Sequence, residues 1–226
     1  MSDPATSADP GIFVAVAGNI GSGKSSLTRV LSQRFHLAPV YEAVDENPYL
    51  EDFYADMPRY AFHSQIFFLA RRLRHHKQLL RHPNSVVQDR SVYEDAEVFA
   101  CNLYQQGLMS ERDYHAYHDL YEGVRAFLPP PDLLIYLKGS VETLLHRIQL
   151  RGRDYEREIS PDYLGQLNAL YDAWIGRWDS CPVLVVPADE IDFQHDAEAR
   201  DLVVRGVQEA LRPATIHYLH RPGEAP

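Results

Sequence analysis

The segment from Gly18 to Ser25 is the clearest chemical motif in the sequence. Its residues Gly18-Asn19-Ile20-Gly21-Ser22-Gly23-Lys24-Ser25 match the pattern G-x-x-x-x-G-K-[ST]. Glycines let the backbone turn its N–H groups toward phosphate oxygens, and a helix start adds a partial positive charge. Lys24 would reach the β and γ phosphates, and the Ser25 hydroxyl would ligate Mg²⁺. The motif predicts a nucleoside triphosphate site; a glycine-rich turn with a chance lysine is the alternative.

Two acidic residues, Glu42 and Asp89, stand at the ends of predicted strands. Open α/β sheets bind their ligands at this edge, so both carboxylates are expected near the phosphate loop. Asp89 is followed by Arg90 and could hold Mg²⁺ while the arginine meets anionic oxygens; a turn-forming acid is the alternative. Glu42 is the better candidate base, because a carboxylate near the γ phosphate can accept a proton from an attacking hydroxyl. A solvated turn residue is its alternative.

Four arginines crowd into eleven residues of this acidic chain: Arg147, Arg151, Arg153 and Arg157. The first two are four residues apart and share a helix face, and Gly152 then frees the backbone. Such a segment could close over a triphosphate and oppose the charge that develops in phosphoryl transfer. A basic helix end that complements the helix dipole is the alternative interpretation.

Short apolar runs alternate with helical patterns along the chain. The predicted strands are 12–17, 39–42, 85–89, 133–137 and 183–186, and the predicted helices are 24–35, 60–81, 94–106, 111–127, 141–150, 161–178 and 196–211. This alternation is typical of right-handed βαβ crossovers. We therefore expect an α/β fold with a five-stranded parallel sheet and helices on both faces.

Composition limits the classes of protein to which the chain can belong. The 226 residues carry 22 Lys and Arg against 32 Asp and Glu, a net charge of −10, and 45% are hydrophobic. This favours one folded domain over 1–226, with a polar leader at 1–10 and a loose tail from about 213. The acidic balance argues against nucleic-acid polymers as partners. Two separate cysteines, no signal peptide and no membrane-length apolar run predict a cytoplasmic protein.

Together these residues resemble the deoxynucleoside kinase family. The run YEAVDENPYLEDFYADMPRYAFHSQIFFLARR is especially similar to the bacterial deoxyadenosine/deoxyguanosine kinase branch, and the resemblance extends from Phe13 to about Trp178. It implies a P-loop kinase fold with an Arg-rich lid. It also implies Mg²⁺-dependent transfer of the ATP γ-phosphate to the 5′-hydroxyl of a purine deoxynucleoside, in deoxynucleotide salvage, by a homodimer.

The resemblance also implies roles for single positions. Glu42 matches the general base, and Arg90 matches the arginine that holds this base and the reacting oxygens. Asp89 stands where many members have glutamate, so its reach toward Mg²⁺ is one methylene shorter. Tyr54 and Glu156 match the pair that hydrogen-bonds the sugar 3′-hydroxyl.

Base recognition and the lid are implied in the same way. Gln65, Arg72 and Asp95 match the positions that read the base edge, and Arg147, Arg151 and Arg153 match the lid that clasps the phosphate donor. The chemistry agrees, because glutamine offers both a donor and an acceptor, and an Arg with an Asp forms a hydrogen-bond fork. Possible aromatic planes against the base are Phe62, Phe67, Phe68 and Tyr93, although periodicity alone favours core positions.

Two other functions fit parts of the pattern. A nucleoside monophosphate kinase of thymidylate-kinase type has a similar loop, Asp-Arg motif and lid, but needs extra basic residues for the acceptor phosphate. A regulatory ATP-binding module without turnover would share only the loop, and the chain lacks the NKxD motif with which GTPases read guanine.

Overall fold

Six parallel strands form the centre of the fold in the computed structural model, which describes residues 11–41, 46–79, 85–157, 159–211 and 216–218. The strands are β1 (Phe13–Gly18), β2 (Ala38–Val40), β3 (Val86–Asp89), β4 (Leu133–Lys138), β5 (Val183–Pro187) and β6 (Ile216–Tyr218). Their order across the sheet is β2-β3-β1-β4-β5-β6. The chain thus builds outward in both directions from β1, which creates a crevice at the carboxyl end of that strand.

Helices connect and cover these strands. They are α1 (Lys24–Phe35), α2 (Leu50–Ala55), α3 (Met57–Leu79), α4 (Val92–Glu94), α5 (Cys101–Gln105), α6 (Glu111–Arg125), α7 (Val141–Arg151), α8 (Pro161–Gly176) and α9 (Ala197–Ala210). A π-helical segment, Asp95–Ala100, joins α4 to α5, and a 3₁₀ turn, Asp154–Glu156, follows α7.

The buried side chains of β1 show how the sheet separates two apolar layers. Val14 and Val16 face a layer that includes Leu27 of α1 and Val203 of α9. Ala15 and Ala17 face the opposite layer, which contains side chains of α3, α6, α7 and α8. Successive residues of a strand point to opposite faces, so an uninterrupted apolar run is what a strand covered on both sides requires.

The register between β1 and β3 positions the candidate chemistry. Val16 pairs with Asp89, and β1 continues for two residues to Gly18, the first residue of the phosphate loop. The Arg90 N–H then donates to the Val16 carbonyl at 3.0 Å. Asp89 and Arg90 are therefore fixed beside the phosphate loop by the backbone ladder itself.

The predicted parallel sheet with helices on both faces is confirmed, and β6 is an additional strand. It pairs with β5 from Val183↔Ile216 to Val185↔Tyr218, inside the tail that was predicted to be loose from about residue 213. Three residues are too few to show a periodicity, and the nearby prolines favoured a loop interpretation. The short helix α2 was also missed.

Both cysteines are free thiols. Cys101 and Cys181 are partly buried, and this burial raises the pKa of each thiol above its ordinary value of 9.0. Among the described residues, no helix is long and apolar enough to cross a bilayer.

Candidate active site

The phosphate loop lies between β1 and α1 and has the backbone shape that its glycines permit. Gly21 has φ 81° and Gly23 has φ 100°, values that side-chain-bearing residues rarely adopt. A Cβ at Gly21 would lie 2.8 Å from the Leu144 carbonyl oxygen. The Lys24 ammonium is buried and donates to the carbonyls of Gly18 and Asn19, each at 2.9 Å. The loop therefore holds a cation within the turn of its own backbone.

Ser25 and Asp89 lie together at the mouth of this loop. The Ser25 hydroxyl donates to Asp89 Oδ2 at 2.5 Å, and Asp89 is 1% exposed. Both groups offer hard oxygen ligands, the type that Mg²⁺ prefers, and Mg²⁺ commonly takes one or two protein oxygens plus substrate phosphates. This donor set fits the predicted magnesium site.

Arg90 is buried between the phosphate loop and the neighbouring cleft. Its φ of 65° is in the left-handed region, which is uncommon for a residue with a side chain and recurs at functional sites. The guanidinium lies over the Phe99 ring, 4.2 Å from the centroid, and its Nη1 is 3.4 Å from the Tyr171 hydroxyl. Contacts with Phe99 and Tyr171 therefore hold the side chain in place without a ligand.

A cleft of about 80 Å³ opens next to Arg90. It is lined by Ile20, Leu50, Phe53, Tyr54, Ser64, Gln65, Phe68, Arg90, Asp95, Phe99, Arg151, Arg153, Tyr155, Glu156 and Tyr163. Eight of these fifteen residues are apolar or aromatic and seven are polar or charged, so the cleft offers both apolar contact and specific polar partners to a ligand.

Tyr54 and Glu156, the predicted 3′-hydroxyl pair, both line this cleft. Burial raises the pKa of Tyr54 well above its ordinary value of 10.0, and the nearby Tyr163 and Glu156 raise it further. The phenol is therefore a permanent hydrogen-bond donor in neutral solution. Glu156 is only 4% exposed and offers an acceptor, so the pair can satisfy both the oxygen and the proton of one hydroxyl group.

Of the three predicted base-reading residues, Gln65 and Asp95 line the cleft, whereas Arg72 is not among its lining residues and reaches it through Asp95. Arg72 Nε donates to Asp95 Oδ2 at 2.9 Å, and both side chains are almost fully buried. Gln65 is 5% exposed, and its Oε1 atom has no hydrogen-bond partner within the described protein. A buried amide oxygen without a partner is costly. Gln65 therefore presents an acceptor to a donor that a ligand would bring.

The three predicted lid arginines are held in different ways. Arg147 donates to the carbonyls of Ser22 at 3.1 Å and Ala188 at 2.8 Å, so it links the phosphate loop to the turn after β5. Arg151 pairs with Glu156 at 2.6 Å, and Arg153 Nη1 lies 3.6 Å from the same carboxylate. All three line a second, open depression beside Gly21, Lys24 and Ser25. Arg151 and Arg153 thus border both depressions.

The chain is similar to known proteins over most of its length. A sequence model of the family described as deoxynucleoside kinase matches residues 14–212. The chain belongs to the deoxynucleoside kinase family. It is therefore an ATP-dependent nucleoside kinase, as the resemblance predicted.

Several relatives of this kinase are similar over most of their length. A deoxyadenosine/deoxycytidine kinase of Bacillus subtilis is 40% identical over 194 residues, covering 85% of this chain and 89% of the relative. A deoxyadenosine kinase of Lactobacillus acidophilus is 36% identical, covering 88% and 96% respectively. A solved deoxyadenosine kinase of M. mycoides with dCMP and dCDP has a TM-score of 0.78 and 30% identity, covering 88% of this chain and all of that one.

Some residues of the kinase site were not predicted from the sequence. Of the four suggested aromatic planes only Phe68 is among the cleft-lining residues, whereas Tyr93 is buried against Trp178 in the core. Phe99 takes such a place, and it stands four residues after Asp95 in the π-helical segment. Tyr155 directly precedes Glu156 and stacks with Tyr54 at 5.8 Å. The sequence signal for Phe99 and Tyr155 was their closeness to residues already assigned to the site, Asp95 and Glu156.

The predicted base, Glu42, lies outside the described residues.

Proposed function

We propose that this kinase transfers the ATP γ-phosphate to the 5′-hydroxyl of a purine deoxynucleoside. The observation that carries the proposal is that one cleft is lined by Tyr54, Glu156, Gln65 and Asp95. A hydroxyl-binding pair, a buried amide and carboxylate, and aromatic rings in one cleft suit a nucleoside. The phosphate loop borders the same cleft through Ile20.

On the donor side, the phosphate loop would hold the triphosphate with its N–H groups and the Lys24 ammonium. Ser25 and Asp89 would hold Mg²⁺, which when bound neutralises charge on the phosphate oxygens. Arg151 and Arg153 stand between the two depressions. They would add positive charge beside the transferring group, where such charge is most effective in a site that excludes water.

On the acceptor side, Glu42 would take the proton from the attacking 5′-hydroxyl and Arg90 would hold both groups in place. The fixed guanidinium of Arg90 over Phe99 supports this role, since positioning accounts for much of the rate in phosphoryl transfer. Replacing Glu42 by Gln should lower kcat about a hundredfold or more while KM changes little. Equal turnover in the variant and the wild type would remove Glu42 from this role.

Purine preference is the part of the proposal that a substrate panel tests directly. The relatives are named for deoxyadenosine, deoxyguanosine and, in one case, deoxycytidine as well. We expect the highest kcat/KM with deoxyadenosine or deoxyguanosine among the four natural deoxynucleosides. A clear preference for thymidine or deoxycytidine would show the purine assignment to be wrong.

A nucleoside monophosphate kinase would use the same loop with a different acceptor. In the described cleft, Arg151 and Arg153 are paired with Glu156, which favours a hydroxyl acceptor over a phosphorylated one. Offering deoxyadenosine or its monophosphate as the sole acceptor decides between the two. A donor-only assay with no acceptor dependence would instead favour a regulatory ATP-binding module.

The proposal includes Mg²⁺ as the metal, the cytoplasm as the location and a homodimer as the assembly. Removal of Mg²⁺ with a chelator should abolish turnover, and sedimentation of the purified protein measures the assembly. Partly exposed apolar side chains on α6, such as Leu120, support an association through the long helices.

A further inference from the structure

A buried group outside the assigned residues contacts the first residue of the phosphate loop. Glu94 in α4 is 0% exposed. Its Oε2 atom accepts from the Gly18 N–H at 3.2 Å and lies 2.7 Å from the Tyr171 hydroxyl. Its Oε1 atom accepts from the Ser91 N–H at 3.2 Å. The carboxyl group therefore joins β1, α4 and α8 at the root of the loop.

The Tyr171 hydroxyl has a single proton but lies within hydrogen-bond distance of two oxygen atoms. Its oxygen lies 2.8 Å from the Gly18 carbonyl and 2.7 Å from Glu94 Oε2. A carbonyl can only accept, and a phenol has one proton to donate. Each contact has a proton of its own if Tyr171 donates to Gly18 while a protonated Glu94 donates to Tyr171; with an ionised Glu94, the two acceptors would have to share the single phenol proton.

The surroundings of Glu94 contain charges of both signs. The titratable and charged groups that face it are Lys24 of α1, Arg90 after β3, Tyr171 of α8, Tyr136 of β4 and the adjacent Asp95. Complete burial raises the pKa of Glu94, against the opposing effects of the two cations and of a hydrogen bond donated by Tyr171. Arg90 Nε is 3.9 Å from Glu94 Oε1, beyond hydrogen-bond distance. The protonated form is consistent with both the burial and the proton count.

The Gly18 carbonyl connects this network to the triphosphate site. It accepts from the Lys24 ammonium at 2.9 Å and from Tyr171 at 2.8 Å. In its proposed role Lys24 leaves this carbonyl for the phosphates, and the buried carbonyl would carry a penalty if Tyr171 did not donate to it either. A Tyr171 proton directed at Gly18 removes that penalty.

We propose that Glu94 is a positioning residue for the phosphate loop: in its protonated form it directs the Tyr171 hydroxyl onto the Gly18 carbonyl and so leaves Lys24 available to phosphate. The inference rests on the proposed function of the loop. It assigns Glu94 and Tyr171 to the donor site, although neither is expected to contact ATP.

Kinetics of two conservative variants test the positioning. Tyr171→Phe should raise KM for ATP roughly tenfold, the value of one buried hydrogen bond, with a much smaller change in KM for deoxyadenosine. Glu94→Gln keeps a neutral donor toward Tyr171, so its KM for ATP should stay within about threefold of wild type, while Glu94→Leu should match Tyr171→Phe. Glu94→Gln behaving like Glu94→Leu, or equal changes in both KM values, would overturn the proposal.

Infrared difference spectroscopy tests the protonation without any turnover. The wild type near pH 7 should show the carbonyl stretch of a protonated carboxylic acid that is missing in Glu94→Gln and shifted in Tyr171→Phe. A spectrum without that band shows an ionised Glu94 and overturns the inference. Because this measurement needs neither ATP nor an acceptor, it separates failure of the inference from failure of the proposed function.

Stability against pH gives a second readout without turnover. A carboxyl whose pKa is higher in the folded than in the unfolded protein favours folding at low pH, and the contribution is lost as pH rises above its ordinary value of 4.5. The free energy of unfolding of Glu94→Gln relative to wild type should therefore increase from pH 4.5 toward neutrality. An unchanged or decreasing difference would indicate a carboxylate that is ionised in the folded protein.

Discussion

The amide oxygen of Gln65 is a buried acceptor that no described side chain satisfies. Substituting Gln65 should therefore weaken substrate binding without lowering the stability of the protein. Gln65→Leu should raise KM for deoxyadenosine at least tenfold, because the ligand loses its partner. The melting temperature should stay equal or rise, because removing an unsatisfied polar group relieves a cost. Steady-state kinetics and thermal melting measure the two. Loss of stability together with affinity would mean that Gln65 is a structural residue.

The sugar hydroxyl can be tested with a substrate that lacks it. Tyr54→Phe removes the donor that burial keeps protonated, so kcat/KM for deoxyadenosine should fall about tenfold. The value for 2′,3′-dideoxyadenosine should hardly change, since that substrate has no 3′-oxygen. Tyr60→Phe, a partly buried tyrosine of α3, is the matched control. An equal loss with both substrates would contradict a role in reading the 3′-hydroxyl.

At the scale of elements, the segment from α7 through the 3₁₀ turn links the donor and acceptor sides. Arg151→Gln removes a partner of Glu156 and a cation beside the phosphate loop, so kcat/KM for ATP should fall tenfold or more. Arg157→Gln, in an exposed pair with Asp154, should change it less than twofold. Similar effects of both substitutions would show that the segment acts only through its net charge.

The longer elements were predictable because their patterns are strong and continuous. The run from Val14 to Ala17 and the segment Lys24–Phe35 needed only periodicity and a glycine boundary. The six residues of α2 and the π-helical segment were not predictable, since one extra residue in a helical turn leaves no mark in composition. Spacing brought Asp89 to the loop correctly, because strand ends share one edge of the sheet.

Side-chain pairing was the part of the site that residue spacing did not reveal. The resemblance implied that Arg151 and Arg153 belong to a lid, but their pairing with Glu156 depends on the path of the chain after Gly152. Glu94 and Tyr171 are 77 positions apart. Each belongs to an ordinary helical pattern, so only the packing of α8 against the π-helical region reveals that they meet.

At the scale of the whole molecule, β6 forms one edge of the sheet, and its removal should lower the stability of the protein. Ile216–Tyr218 pairs with β5, whose residues Val183 and Leu184 are almost fully buried. Shortening the chain after Leu211 would leave β5 with unpaired backbone groups at an apolar edge, an arrangement that promotes aggregation. We expect about 2 kcal/mol less free energy of unfolding, from two or three lost backbone hydrogen bonds.

Because β6 is remote from the active site, its removal should change stability and leave substrate binding nearly unchanged. β6 lies beyond β5, whereas the cleft and the phosphate loop gather around the ends of β1 and β3. KM values for ATP and deoxyadenosine measured well below the melting temperature should therefore remain within about twofold of the full chain. Urea unfolding gives the stability change, and light scattering reports aggregation. A large rise in either KM with unchanged stability would assign the C-terminal segment to the active site instead of the sheet.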